Sequence, residues 1–112
     1  MKLFIQSSAE QDILRQIEWY SEQGLPDVAR RFGIAVRFSV EALLKAPFAG
    51  SSRSTSNPQL ADLRTWPVAG FDAFRVYYIA RADDVQIVRI LHGRRDVDAI
   101  VEEQDVEGPP EG

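Results

Sequence analysis

A chain of 112 residues is long enough for one domain that buries its own hydrophobic core. Its hydrophobic residues (45%) and charged residues (27%) are those of an ordinary globular protein. No apolar run approaches the roughly 20 residues of a membrane span, and the N-terminus does not resemble a signal peptide. Without Cys the chain has neither disulfides nor thiolate metal sites. We therefore expect a cytoplasmic protein that does not contact a membrane.

The net charge of −4 comes from the end of the chain. Residues 102–112 carry five of the 17 acids and no base, so 12 acids and 13 bases remain in the rest. These bases are all Arg except Lys2 and Lys45. Arg suits bidentate contacts with carboxylates and phosphates, although genomic base composition also produces such a bias. We expect a folded domain over residues 1–101 and an acidic, disordered tail over residues 102–112.

The beginning of the chain predicts a short strand followed by a helix. Three apolar residues form the strand over residues 3–5. Ser8 and Gln11 have capping-box spacing at the start of an amphipathic helix over residues 8–23. Gly24 follows this helix, at the position where glycine commonly ends one.

A second amphipathic helix begins at Pro26 and ends before Pro47. The link between the two helices is short, which predicts an antiparallel helix hairpin. The polar stretch 49–58 predicts a surface loop.

The second half predicts three strands: one over residues 60–66, then a β-hairpin whose strands cover 74–81 and 85–92. A short closing helix or turn follows at residues 97–101. The order β-α-α-β-β-β predicts an α+β domain with an antiparallel β-sheet and the N-terminal helix hairpin packed on one face.

The end of the hairpin carries the chain's most function-like group of side chains. His92 is the only histidine, and Arg94 and Arg95 follow it closely. His92 could act as a general acid or base, while the two arginines steady a phosphate. Alternatively, His92 caps the strand end and the arginines pair with Asp96 or Asp98. A single histidine without Cys does not make a zinc site, so we expect no metal and no cofactor.

Arginines also lie along the hairpin strands. Arg75, Tyr77 and Arg81 share one face of the first strand, whereas the more apolar opposite face is expected to contact the helices. The outer face, with Arg89 on the second strand, would then be apolar with arginines set into it, which suits a protein partner. Alternatively, these arginine stems cover apolar atoms while their charges stay hydrated. Trp19 is assigned to the core or to an interface.

Five segments follow one another along residues 3–101: Ala9-x-x-Asp12-Ile13-x-x-x-Ile17-x-x-Tyr20, Pro47-x-x-Gly50, Leu63-Arg64-x-x-Pro67-Val68-x-Gly70-Phe71, Phe74-Arg75-Val76-Tyr77-Tyr78 and Val88-Arg89-Ile90-Leu91-His92-Gly93-Arg94-Arg95-Asp96. In this order and over this length the chain resembles the RelE/ParE toxin superfamily, and its Ile-Leu-His-Gly-Arg-Arg-Asp ending resembles the ParE branch most.

The resemblance implies a bacterial growth-inhibiting toxin of a type II toxin–antitoxin system, of the kind associated with plasmid stabilisation. Its partner would be a ParD-like antitoxin whose C-terminal segment folds onto the toxin, in a higher-order complex. A ParE-type toxin would inhibit DNA gyrase and would not itself be an enzyme. The expected partner-binding residues are Arg64, Arg75, Tyr77, Arg81, Arg89 and Arg95.

Two alternatives remain under the same resemblance. A RelE-type toxin would cleave mRNA on the ribosome, with catalytic roles for Arg75, Tyr77, His92 and Arg94. The lysines that such nucleases commonly use have no counterpart here, and the acidic tail does not favour ribosome binding. A non-toxic member of the family would only bind its antitoxin.

Overall fold

The computed structural model describes residues 1–108. Its elements are β1 (Lys2–Ile5), α1 (Ser7–Glu22), α2 (Pro26–Lys45), β2 (Ser51–Ser52), a 3₁₀ turn (Pro58–Leu60), β3 (Leu63–Pro67), β4 (Phe74–Ala80), β5 (Asp84–His92) and α3 (Val97–Glu102). The predicted α+β class, the helix hairpin and the β-hairpin are confirmed. Within the described residues, no helix combines the length and the apolar character needed to cross a membrane.

The five strands form one sheet in the order β1-β5-β4-β3-β2. The strands β2 to β5 pair antiparallel in sequence, whereas β1 pairs parallel with β5. The sheet is therefore mixed: the predicted antiparallel strands are present, and the first strand joins them in a parallel pair. A parallel pair requires a long connection, and the helix hairpin is the first part of the chain that separates β1 from β5. The two-residue β2 lies in the stretch predicted as a loop and adds a strand to the predicted order.

The helix hairpin covers one face of the sheet, as the alternation along β4 predicts. Phe32 of α2 lies edge-on to Phe74 of β4, with ring centroids 5.0 Å apart. Buried residues between the helices and the sheet form the helix-side cluster. Several of their side chains are completely buried, which contributes hydrophobic stabilisation. Its members are Ala9, Phe32, Val36, Val40, Leu43, Val68, Phe74, Val76, Tyr78, Val85, Ile87 and Ile90.

The outer face of the sheet is also covered, which corrects the expectation of an open, arginine-studded surface. Val97 and Val101 of α3 pack there against strands β3, β4 and β5. The pairing of β4 with β5 shifts by one residue between Tyr77 and Tyr78, so simple alternation along β5 fails at this bulge. The members of this outer cluster are Leu60, Leu63, Tyr77, Ile79, Val88, Leu91, Val97 and Val101.

The end of α1 forms as predicted, but its start does not. Gly24 has a positive φ of 75° and follows the helix end, as expected. The predicted capping box does not form, because the residue before the helix is Gln6 and no side chain caps the helix start. Ser8 instead donates its hydroxyl to the carbonyl of Val88 at 2.7 Å. The helix start is therefore tied to β5.

The segment after α3 lies against the domain over residues 103–108, where a disordered tail was expected. The backbone carbonyl of Asp105 accepts a hydrogen bond from Gln6 at 2.8 Å, and the backbone N–H of Val106 donates to Gln59 at 3.1 Å. The remainder of the predicted tail, residues 109–112, lies outside the described residues.

Candidate functional site

A cleft of about 840 Å³ opens between α1 and the end of β5. This volume lies within the range of small-ligand and peptide-anchor pockets. The cleft combines aromatic side chains with guanidinium groups, and the residues that matter for its chemistry are Arg15, Trp19, Phe71, His92, Arg94 and Arg95. The group singled out at the end of the hairpin therefore lies in a concave site.

The turn after β5 positions the arginines of this cleft. The N–H of Arg94 donates to Nδ1 of His92 at 3.0 Å, so His92 caps the strand end. The N–H of Gly93 donates to the carbonyl of Ala73 at 2.7 Å, and the N–H of Arg95 to the carbonyl of His92 at 3.1 Å. These three backbone donors are therefore occupied, so the side chains of Arg94 and Arg95 are the groups of this turn that can bind an anion in the cleft.

Three arginines of the cleft form no salt bridge among the described residues, although the exposed Asp72 also lines the cleft. They are Arg15, Arg94 and Arg95, and all three are exposed. The alternative pairing with Asp96 or Asp98 does not occur: Asp96 caps α3, and Asp98 binds Arg53 at 2.7 Å. The cleft thus offers charged forks beside apolar rings, an arrangement that fits carboxylates carried on an apolar segment.

Arg89, a predicted partner-binding residue, is held inside the chain. Its Nε and Nη2 donate to the two carboxylate oxygens of Asp12, each at 2.8 Å. The side chains are 14% and 4% exposed. Asp12 Oδ2 also accepts the N–H of Ile90 at 2.9 Å. Because β1 ends at Ile5, this stretch of β5 has no neighbouring strand on its β1 side, and Ser8 and Asp12 of α1 satisfy its backbone there instead.

The other predicted partner-binding arginines also have partners within the chain. Arg64 donates from Nη1 to the carbonyls of Phe48 (3.1 Å) and Gly50 (2.8 Å). Arg81 binds Asp84 at 2.8 Å in the hairpin turn. Of the six predicted partner-binding residues, only Arg95 lines the cleft, and the structure does not bring the other five to it.

The predicted nuclease residues are divided between two regions. His92 and Arg94 line the cleft, whereas Tyr77 belongs to the outer cluster and is 2% exposed. Arg75 donates to the hydroxyl of Thr65 at 3.1 Å. Burial raises the pKa of Tyr77 above its ordinary value, and the neighbouring arginines only partly oppose this. Tyr77 is therefore a neutral, enclosed phenol at physiological pH.

Three of the cleft residues named above, Arg15, Trp19 and Phe71, were not predicted as site residues. Arg15 and Trp19 lie four residues apart on α1, and Trp19 is 51% exposed. Their spacing places them on one face of the helix, beside the stripe that includes Ile13 and Ile17. That position is the sequence signal that could have identified them. Within the described residues, no group of three or more side chains could hold a metal ion.

One family model matches most of the chain, and a solved structure shares its fold. The family model described as the ParE toxin of the type II toxin–antitoxin system parDE matches residues 3–97. A solved structure of the chromosomal ParDE toxin–antitoxin system from P. aeruginosa is similar in fold, with a TM-score of 0.66 and 21% sequence identity. The similarity covers 82% of this chain and 95% of that chain. No match was found among curated proteins.

Proposed function

The chain belongs to the family of ParE toxins of type II toxin–antitoxin systems, and from this premise we propose that it inhibits DNA gyrase by binding, without catalysing a reaction. As a toxin of such a system it has an antitoxin as its partner. The proposal concerns the cellular target and the way in which the chain acts on it. Gyrase works in the cytoplasm, which is where the proposal places the toxin.

The observation that carries the proposal is the separation of the residues a nuclease would need. A general base and a transition-state stabiliser must reach the same phosphate at hydrogen-bond distance. Here His92 and Arg94 lie in the cleft, while Tyr77 is enclosed in the outer cluster. The cleft therefore has charge and apolar surface for binding, without the four-residue set proposed for RNA cleavage.

The cleft is the surface we assign to protein binding. A ParD-like antitoxin would place a C-terminal segment with acidic and apolar side chains on it, near the sheet and the α1–α2 hairpin. Arg15, Arg94 and Arg95 would bind the carboxylates, and Trp19 would contact the apolar side chains. An antitoxin that binds in this way, and dimerises elsewhere, would produce a higher-order complex.

The test is a supercoiling and DNA-cleavage assay of purified gyrase with stoichiometric toxin, with and without antitoxin. We expect inhibition by the toxin, and its reversal by the antitoxin. The variant Arg94→Glu, Arg95→Glu should weaken reversal. The matched control is Arg31→Glu, Lys45→Glu on α2, because both bases are exposed, lie outside the cleft and form no salt bridge among the described residues. Undiminished gyrase activity at stoichiometric toxin would exclude the proposed target.

The RelE-type alternative gives a different result in the same preparation. A ribosome-dependent endonuclease would leave gyrase active and cut mRNA on translating ribosomes. It would also lose activity with each of His92→Ala, Arg75→Ala and Arg94→Ala. A chain that does neither, yet binds the antitoxin, would be the non-toxic family member.

A further inference from the structure

Four side-chain amides form a slot on the outer side of the domain. We call Gln6, Asn57, Gln59 and Gln86 the amide slot. They come from the β1–α1 junction, the 3₁₀ turn and β5, which are far apart in sequence. Gln6, Asn57 and Gln86 are 1%, 5% and 0% exposed. Buried polar groups require partners, and here the partners lie at the end of the chain.

Residues 103–108, which we call the strap, fill this slot through their backbone. Gln6 donates to the carbonyl of Asp105 (2.8 Å) and accepts the N–H of Glu107 (3.1 Å). Gln86 donates to the carbonyl of Glu107 at 2.7 Å. Asn57 donates to the carbonyl of Gln104 at 2.8 Å, and the N–H of Val106 donates to Gln59 at 3.1 Å. The amide slot therefore makes five hydrogen bonds to the backbone of the strap.

The side chains of the strap also contact the domain. Gln104 accepts a hydrogen bond from Arg89 at 3.0 Å and donates one to Ser8 at 3.4 Å. Val106 packs against the outer cluster, and the Glu107 carboxylate accepts hydrogen bonds from Ser7. Glu103 and Asp105 are exposed. A slot that binds main-chain groups accepts many sequences, provided that the segment is extended and has N–H groups where Val106 and Glu107 donate theirs.

When the strap leaves, the outer hydrophobic cluster loses its contact with Val106 but stays covered by α3. Val97 and Val101, which close the outer cluster, belong to α3 and not to the strap. Gln86 also donates to Gln6 at 2.9 Å, so these two amides keep one bond when the strap is absent. The remaining amide groups would be hydrated, which is far less costly than exposing apolar surface. The slot is therefore suited to exchange of its occupant.

The slot adjoins the cleft assigned to the antitoxin. Arg89 binds Asp12, which lines the cleft, and donates from Nη1 to the side chain of Gln104, the second residue of the strap, at 3.0 Å. We propose that an extended, proline-free segment of the antitoxin replaces the strap in the amide slot. This inference rests on the antitoxin binding in the cleft.

The antitoxin is the occupant that can compete with a covalently attached strap. The strap has a high effective concentration at the slot, which a free peptide does not match. A segment already tethered through the neighbouring cleft gains a comparable advantage. Backbone recognition explains how a segment of different sequence can make the same bonds.

Amide hydrogen exchange of the full chain, alone and bound to full-length antitoxin, tests the proposal. The N–H groups of Val106 and Glu107 should be protected in the free toxin and lose protection at least tenfold in the complex. The N–H of Ile90, bound to Asp12, is the internal control and should stay protected in both states. Continued protection of Val106 and Glu107 in the complex would overturn the proposal.

A substitution in the strap gives a second, independent measurement. Val106→Pro removes the N–H that donates to Gln59, and it should tighten antitoxin binding up to about tenfold by weakening the competing strap. The control Glu103→Ala changes an exposed side chain of the strap and should leave the affinity unchanged. Unchanged or weaker antitoxin binding by Val106→Pro contradicts exchange. Gyrase inhibition and its reversal by the antitoxin are scored separately, so either can stand if strap exchange fails.

Discussion

The substitution Asp12→Ala is expected to lower the free energy of unfolding by about 3 kcal/mol. Removing one partner of a buried ion pair typically costs about 3–5 kcal/mol, because the other charge is left unpaired. Arg89 is 14% exposed, so water compensates part of this loss and we take the lower end. The N–H of Ile90 also loses its acceptor, at a cost of about 1–3 kcal/mol if no water replaces it.

Urea denaturation near pH 7 of four proteins measures this effect: wild type, Asp12→Ala, Arg89→Ala and the double variant. The two single losses should not add, because each one already breaks the same pair. In a thermal melt, about 3 kcal/mol corresponds to a fall of about 10–20 °C for a domain of this size. Arg89→Ala should also lower the free energy of unfolding. Its stability must therefore be measured before any change in its affinity for a partner is interpreted.

The reasoning fails if Asp12→Ala costs less than about 1 kcal/mol, a value typical of exposed pairs. It also fails if Arg89→Ala weakens antitoxin binding while the melting temperature stays unchanged. That second result would restore Arg89 as a partner-binding residue that the antitoxin draws away from Asp12.

Three further predictions concern other parts of the molecule. Arg94→Glu with Arg95→Glu should weaken antitoxin binding at least tenfold, about 1.4 kcal/mol, in a calorimetric titration, without changing the melting temperature, since both are exposed. Gly50→Ala should cost about 1–3 kcal/mol in urea, because the new methyl group would collide with the Tyr78 hydroxyl and a carbonyl of β3; a neutral effect contradicts this. Burial raises the pKa of Tyr78, as it does that of Tyr77, so unfolded chains lose these protons first. Stability should fall as pH rises through about 10, and less steeply in Tyr78→Phe; equal slopes would refute this.

The sequence predicts the hairpin, both helices and the face of β4 that meets the helices, because these depend on neighbouring residues. The alternation along β4 places Val76 and Tyr78 toward the helices without reference to anything distant. The group at His92 was likewise recognised from residues adjacent in sequence, and it does line the cleft. Local patterns therefore identified one wall of the candidate site.

The other wall and the outer side of the domain depend on contacts between distant residues. Asp12 and Arg89 are 77 positions apart, and no periodicity connects them. Strict alternation would place Val88 and Ile90 on one face, but the bulge in β5 leaves Val88 in the outer cluster and puts Ile90 in the helix-side cluster. An alternating pattern therefore assigns the faces incorrectly beyond the bulge. The strap was expected to be disordered because its composition is acidic, yet its bonds to the amide slot are made by the backbone, which composition does not describe.

The arginines show why a role could not be assigned from residue type. Arg89 lies within β5 and Arg95 follows that strand, and both were predicted to bind a partner. Arg89 finds a carboxylate on α1 and is consumed by the fold, whereas Arg95 follows the turn after β5 and finds none among the described residues. A guanidinium that lacks an internal acceptor stays available for an external one. The distribution of acids in the folded chain, rather than the distribution of arginines, therefore decides where an acidic partner can bind.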